Sequence, residues 1–191
     1  DNFCDAPYVF SGGQDNYPLT NPNGWLEPPT PECCSNVLFL PGLEASRLYL
    51  DENNSENQLW EPNRNLDVEK LYLNEDGTSV NPGIYTRDII KETNAPISAG
   101  FLGQNIYKSF GVVMDNLVTD KKITEWKAFP YDWRMSVDDV VEKPVNISGS
   151  QTTNLVATLK ALIGSSKNGK VTIIAHSNGG LVAKALLAKL Q

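Results

Sequence analysis

The sequence predicts an α/β fold, a mostly parallel sheet with helices on both faces, on three observations. Val37-Leu38-Phe39-Leu40 and Val171-Thr172-Ile173-Ile174 are short apolar runs of the length a buried strand needs. Between them lie two stretches whose apolar residues recur at helical spacing. The second run passes through a tight turn directly into a third such stretch, Leu181 to Leu190. Strands alternating with helices of ten to fifteen residues are the pattern of a parallel sheet wrapped by helices.

Residues 1–36 carry Pro18, Pro22, Pro28, Pro29 and Pro31 and no sustained period, which predicts an extended N-terminal segment laid on a core. The core domain then runs over 37–191. Its first strand is stopped by Pro41-Gly42, since proline cannot donate to a ladder and glycine frees the turn. Residues 51–100 are rich in Asn and Pro, yet hold Leu59, Trp60, Leu66, Val68, Leu71, Tyr72 and Leu73. So much apolar surface predicts an ordered insertion, a lid or cap or a hairpin at the sheet edge, and excludes a linker. Within it, 71–83 reads as a short strand, an Asp76-Gly77 turn and a second extended piece.

From Gly103 the spacing of Ile106, Phe110, Val113, Met114 and Leu117 predicts a helix with that stripe in the core. Ile123 to Phe129 reads as a strand leading into Pro130-Tyr131-Asp132-Trp133-Arg134. Leu155, Leu159, Leu162 and Ile163 predict a second amphipathic helix, closed by a loop from Gly164 to Gly169.

Of the 191 residues 40% are hydrophobic and 20% charged, with a net charge of −7, which describes a folded acidic protein. Lys121-Lys122 is the longest basic run, so a nucleic-acid partner is not expected. No stretch reaches the roughly 18 apolar residues of a membrane span, so lipid contact would be peripheral. Cys4, Cys33 and Cys34 are the three cysteines, compatible with one bridge from Cys4 to either of the adjacent pair or with three free thiols. Two sequons, at Asn53 and Asn146, add to an expectation of a secreted or lumenal protein.

The chemistry concentrates in Ala175-His176-Ser177-Asn178-Gly179-Gly180, between strand and helix. A turn this sharp lifts a serine side chain clear of the backbone, while Gly179 and Gly180 let strand and helix come close. Ala175 stands where glycine is usual and is the smallest alternative. A serine hydroxyl needs a neighbouring base, normally histidine. The single histidine, His176, is adjacent in the turn and is expected to point away from the serine oxygen. After Ser177 there is neither His, Asp nor Glu. The expectation is that both come from polypeptide beyond Gln191, which falls in an apolar helix with no glycine stop. Such a fragment would expose an unpaired sheet edge and an apolar face. The second element is Leu40-Pro41-Gly42-Leu43-Glu44-Ala45-Ser46-Arg47-Leu48. An oxyanion requires two donors, and the backbone N–H groups of Leu43 and Asn178 are the candidates.

Three segments together resemble the lecithin:cholesterol acyltransferase-like branch of the α/β-hydrolases, which includes lysosomal-type phospholipases: Phe39 to Leu48, Pro130-Tyr131-Asp132-Trp133-Arg134, and Ala175 to Gly180. Tyr-Asp-Trp-Arg between the other two is the most specific. The resemblance covers 37–191, as the N-terminal part of that fold. It implies hydrolysis or transfer of a lipid acyl ester through an acyl-serine intermediate, with no metal and no cofactor. Ser177 would be the nucleophile, Leu43 and Asn178 the oxyanion donors. Tyr131, Asp132, Trp133 and Arg134 would be structural near the site, with Asp132 and Arg134 satisfying one another in a buried polar knot. The partners implied are a lipid ester substrate and the remainder of the hydrolase fold. A non-catalytic lipid- or ester-binding module and a generic carboxylesterase are the alternatives.

Overall fold

A computed structural model describes residues 35–52, 55–62, 65–93, 104–148 and 151–191. The N-terminal segment up to Cys34, the three cysteines, Gly103 and the Asn53 sequon lie outside the described residues. Asn36, assigned from sequence to that segment, is instead the first residue of β1.

Among the described residues the centre is a three-stranded parallel sheet in the order β4 (Trp126–Ala128), β1 (Asn36–Leu40), β7 (Val171–Ala175). β1 pairs with β4 from Val37↔Trp126 to Phe39↔Ala128, and with β7 from Asn36↔Val171 to Leu40↔Ala175. The architecture is mixed α/β, with two further antiparallel pairs outside the central sheet. One is β2 (Leu48–Glu52) with β3 (Ser55–Trp60), the other β5 (Val145–Ser148) with β6 (Gln151–Thr153).

β1 is buried at every position, as a strand covered on both faces must be. Alternation divides its side chains. Leu38 and Leu40 join Val140 and Val141 of α3 (Val137–Glu142), Leu155, Leu159 and Leu162 of α4 (Leu155–Ser165), and Val182 and Leu186 of α5 (Asn178–Lys189). Val37 and Phe39 face the other way, onto Tyr107, Phe110 and Met114 at and within α2 (Lys108–Thr119). Each fully buried Leu contributes about 2 kcal/mol of transfer free energy, so the first cluster anchors the sheet.

Caps explain where α3 and α4 begin. Ser136 Oγ accepts the Asp139 N–H at α3, and Asn154 Oδ1 accepts the Ala157 N–H at α4. Asn36, fully buried in β1, is satisfied on both sides of its amide: Nδ2 donates to Leu162 O and Ser165 Oγ, and Oδ1 accepts the N–H groups of Thr124 and Glu125.

Several expectations are corrected. In α2 the stripe read from Ile106 and Val113 is not core. Those two are exposed, and the buried face is Met114 with Gly111, flanked by Phe110 and Leu117. Ile163 of α4 is also exposed. The strand read over 123–129 pairs only at Trp126–Ala128, because Ile123 turns into the cluster with Val37 and Met114. In the insertion, 71–83 has the expected Asp76-Gly77 turn, but the short strand before it is reduced to a single antiparallel bridge from Leu73 to Ser79. Gly77 at φ 82 makes its turn, and Asp76 Oδ1 accepts from the N–H and hydroxyl of Thr78. Leu59, Leu71 and Ile84 of the insertion are buried around Leu48, whereas Leu66 and Tyr72 remain exposed.

Candidate active site

The chain leaves β1 towards the insertion and α2 on one face, and leaves β7 into α5 on the other. Adjacent parallel strands whose onward connections part to opposite faces open a crevice at their carboxyl ends, where α/β sheets bind ligands. Pro41-Gly42 and Ser177 stand at that edge.

Ser177 has φ 52 and ψ −124. A non-glycine residue there costs of order 1–3 kcal/mol, and persists only if its surroundings enforce it. The enforcement is visible on both sides of the turn. His176 N–H donates to Leu40 O at 3.0 Å, extending the β1 ladder one residue past β7. Gly179 N–H and Gly180 N–H then donate to the carbonyls of His176 and Ser177, starting the helix at once. A Cβ on Gly179 would lie 2.3 Å from Leu40 O, so only glycine allows α5 this close to β1. Gly180 has open space at its Cβ position, and the steric role expected of both glycines belongs to Gly179 alone. Ser177 is exposed at the apex, with its side chain making no cap to the helix it precedes.

Gly42 comes close to the serine: a Cβ there would sit 3.1 Å from Ser177 Cβ and 3.0 Å from His176 Nδ1. Glu44, at φ 58, turns the loop back, and Ala45 N–H closes onto Gly42 O. Leu43 therefore lies in the loop beside the elbow, its side chain exposed, and Asn178 is the first residue of α5. Among the described residues neither the Leu43 nor the Asn178 backbone N–H has a hydrogen-bond acceptor.

Tyr131 ties the two loops together. Its buried hydroxyl donates to Pro41 O at 2.8 Å and accepts from Asn178 Nδ2 at 3.2 Å, and its backbone N–H donates to Ser46 Oγ. Burial raises the phenol's pKa above its usual value, keeping it a neutral donor. Trp133 gives its indole N–H to Ser46 O and meets Trp60 edge-on at 5.2 Å. Asp132 and Arg134 form a bidentate pair, with Nε to Oδ1 at 2.9 Å and the terminal nitrogen to Oδ2 at 2.5 Å. The guanidinium also reaches Leu71 O and Ser79 Oγ. This knot pins the insertion, whereas the residues bracing the elbow are Tyr131 and, through Ser46, Trp133.

A residue that sequence reasoning missed is Tyr107, at the N-cap of α2. Its hydroxyl accepts Gly42 N–H at 3.1 Å and lies 2.8 Å from His176 Nδ1. Burial raises its pKa, the Gly42 bond opposing this. No spacing rule marks a lone tyrosine 69 positions from its partner; a buried aromatic hydroxyl needing a partner is the one physical hint. Beside these residues is a groove of about 290 Å³ whose walls include Leu43, Ala45, Trp60, Ile90, Tyr107 and His176. The insertion thus supplies a wall of a groove that reaches Leu43 and His176, the residues flanking the elbow, while Ser177 and Asn178 are not among its lining residues. A larger cleft, about 730 Å³, lies between the 73–86 loop and α3 and includes none of Ser177, Leu43 or Asn178. Buried Thr86 Oγ1 and Asn146 Oδ1 line it without a hydrogen-bond partner among the described residues.

Among the described residues no cluster of His, Cys, Asp or Glu is arranged to hold a metal, and no helix is long and apolar enough to cross a membrane. Compared with protein-family models, curated proteins and solved structures, the chain matches none of them.

Proposed function

We propose that this protein is a serine hydrolase of the α/β-hydrolase fold, resembling the lecithin:cholesterol acyltransferase-like branch, that cleaves or transfers lipid acyl esters through an acyl-serine intermediate. The observation that carries the reading is the backbone of Ser177, held in a left-handed conformation at an exposed apex against the Gly42 loop. Folding free energy is spent there on presenting one hydroxyl.

Ser177 Oγ would attack the ester carbonyl carbon as a base takes its proton. The C–O bond to the leaving alcohol then breaks as that alcohol is reprotonated, leaving the acyl group on the serine for water or a second alcohol to accept. The N–H groups of Leu43 and Asn178, unpaired among the described residues, are the donors for the developing oxyanion, each worth about 3 kcal/mol in the transition state. Tyr131 and Tyr107 hold the loops that carry them. His176 is not the base in this reading, because its Nδ1 is engaged by Tyr107 and it precedes the nucleophile in the turn. In this reading the catalytic Asp and His are supplied by further polypeptide, which would dock on the edge of β7 left unpaired among the described residues and on the exposed Leu181 and Leu187 of α5. If that polypeptide brings no histidine, the same elbow and groove bind an ester without cleaving it.

The apolar groove beside the elbow favours an acyl chain over a small polar ester. Hydrolysis of p-nitrophenyl esters of increasing chain length by the full-length gene product, as monomers and as micelles, tests this. The reading expects a preference for longer chains, a rise in rate at the micellar interface, and loss of both in Ser177→Ala. Equal rates on short soluble esters would point to a generic carboxylesterase, and an unaffected Ser177→Ala variant would remove the reading altogether.

A further inference from the structure

We infer that His176 is a substrate-binding residue, which presents an Nε2–H donor to an oxygen of the ester lying in the groove beside the elbow, with Tyr107 as the positioning residue that sets it. The inference rests on the serine-hydrolase reading and deepens it.

A count of hydrogens fixes the tautomer. The Tyr107 oxygen accepts Gly42 N–H at 3.1 Å and is 2.8 Å from His176 Nδ1. Tyr107 has one proton to give, and it is buried, so an unsatisfied O–H there is costly. With Gly42 already pointing at the phenol oxygen, a proton on Nδ1 would bring a second donor to that oxygen and leave the phenol's own proton without an acceptor. The tautomer with Nδ1 bare and Nε2 protonated satisfies all three groups. The ring is held sterically as well. It meets Tyr107 edge-on at 5.7 Å, and the Gly42 backbone lies against Nδ1.

The opposite edge of that imidazole is then a donor in the groove. His176 is an exposed residue and lines it. Of the other polar groups there, the Glu44 carboxylate is acceptor-only and cannot serve an ester oxygen, and Thr93 Oγ1 accepts Gln104 N–H. Trp60 gives its indole N–H to Glu44 O at 2.7 Å, and Glu61 pairs with Arg47. An ester oxygen entering a mostly apolar groove loses water and needs a donor in exchange. The same Tyr107 hydroxyl fixes the Gly42 loop, so the donor and the candidate oxyanion loop are placed by one atom.

Two measurements on the full-length gene product decide it. The imidazole resonances of His176, assigned by their loss in His176→Gln, should report the Nε2–H tautomer at alkaline pH, and Tyr107→Phe should mix the two tautomers. With p-nitrophenyl butyrate, His176→Ala should raise KM about tenfold, the equivalent of one hydrogen bond of about 1.4 kcal/mol, with little change in kcat. His176→Gln, which keeps an N–H near the Nε2 position, should recover most of the loss, and Tyr107→Phe should raise KM in the same direction. A wild-type Nδ1–H tautomer, an unchanged KM in His176→Ala, or no recovery with Gln overturns the proposal while leaving the nucleophile untouched. If the folded wild type hydrolyses nothing, the serine-hydrolase reading fails and this inference falls with it.

Discussion

β1 and β7 are neighbours in one parallel sheet, paired over five residues, yet they are built to different ends. β1 is flanked by β4 and β7, buried at all five positions, and divides its side chains between two helical layers. β7 is paired on one side among the described residues and is buried at none of its five positions; the exposed, strained Ser177 follows two residues beyond it. The difference separates support from presentation. Strain at Ser177 is sustained from the β1 side, by Leu40 O, the Gly42 loop and the Tyr131 hydroxyl. The far edge of β7 carries no strand among the described residues.

The sharpest way to break this contrast is at the two glycines that begin α5. Gly179→Ala forces a Cβ to within 2.3 Å of Leu40 O and 2.7 Å of Pro41 O, both backbone atoms that cannot swing aside. A loss of at least about 4 kcal/mol is expected, read as failure to fold or as a collapsed denaturation midpoint. Its neighbour is the control. Gly180→Ala meets nothing within 4 Å, and should stabilise by roughly 0.5 kcal/mol through helix propensity. Equal effects at the two positions would mean that α5 does not lie against β1 as described.

Tyr131→Phe comes next. It leaves Pro41 O and Asn178 Nδ2 without the hydroxyl between them, an expected cost of about 2 kcal/mol in chemical denaturation. If the bond is only structural packing, the variant will be as stable as wild type.

Ser177→Gly acts in the opposite direction. Glycine adopts positive φ freely, so the variant should gain about 1 kcal/mol while losing the nucleophile. A stabilised but inert variant would identify the elbow as a place where stability is given up for presentation.

The smallest effect is expected far from the elbow, where Arg87 pairs with Glu56 and Tyr85 donates to the same carboxylate. The Arg87 hydrogen bond, helped by that from Tyr85, holds the Glu56 carboxyl down to about 2 from an ordinary 4.5. A depressed carboxyl stabilises the fold above its unfolded pKa and loses that contribution as pH falls from about 4.5 towards 2. Both partners are more than a third exposed, so the contribution is modest. Glu56→Gln should flatten this part of the acid-denaturation curve slightly and leave the elbow unaffected.

How far the sequence reached follows the same division. β1, β7, α4 and the strand-turn-helix at Ser177 were legible because each is specified locally, by an apolar run or a turn whose sterics demand glycine. The stripe on α2 was misjudged at Ile106 and Val113 because period fixes a face only when one knows which neighbour covers it; α2 packs on Phe39 and Trp126 through Phe110 and Gly111. β2 and β3 were not foreseen as a pair, since Ser55 to Gln58 carry little apolar signal and their pairing depends on Leu48 and Leu59 closing a separate small core. Tyr107 was invisible for a related reason: its role exists only once α2 lies across the end of β1 and brings its hydroxyl to Gly42 and His176. In Tyr131-Asp132-Trp133-Arg134 the motif was plain, but the division of labour within it, Tyr131 to the elbow and Arg134 to the insertion, is decided by partners 47 and 63 residues away.

Whether Ser177 is a nucleophile can be measured in one step with a fluorophosphonate probe. Incubated with the folded full-length gene product and mapped by peptide mass spectrometry, the probe should form a phosphonyl-serine at Ser177, and Ser177→Ala should be unlabelled. A folded protein that remains unmodified, or is modified at a different serine, would contradict the reading of Ser177 as the nucleophile.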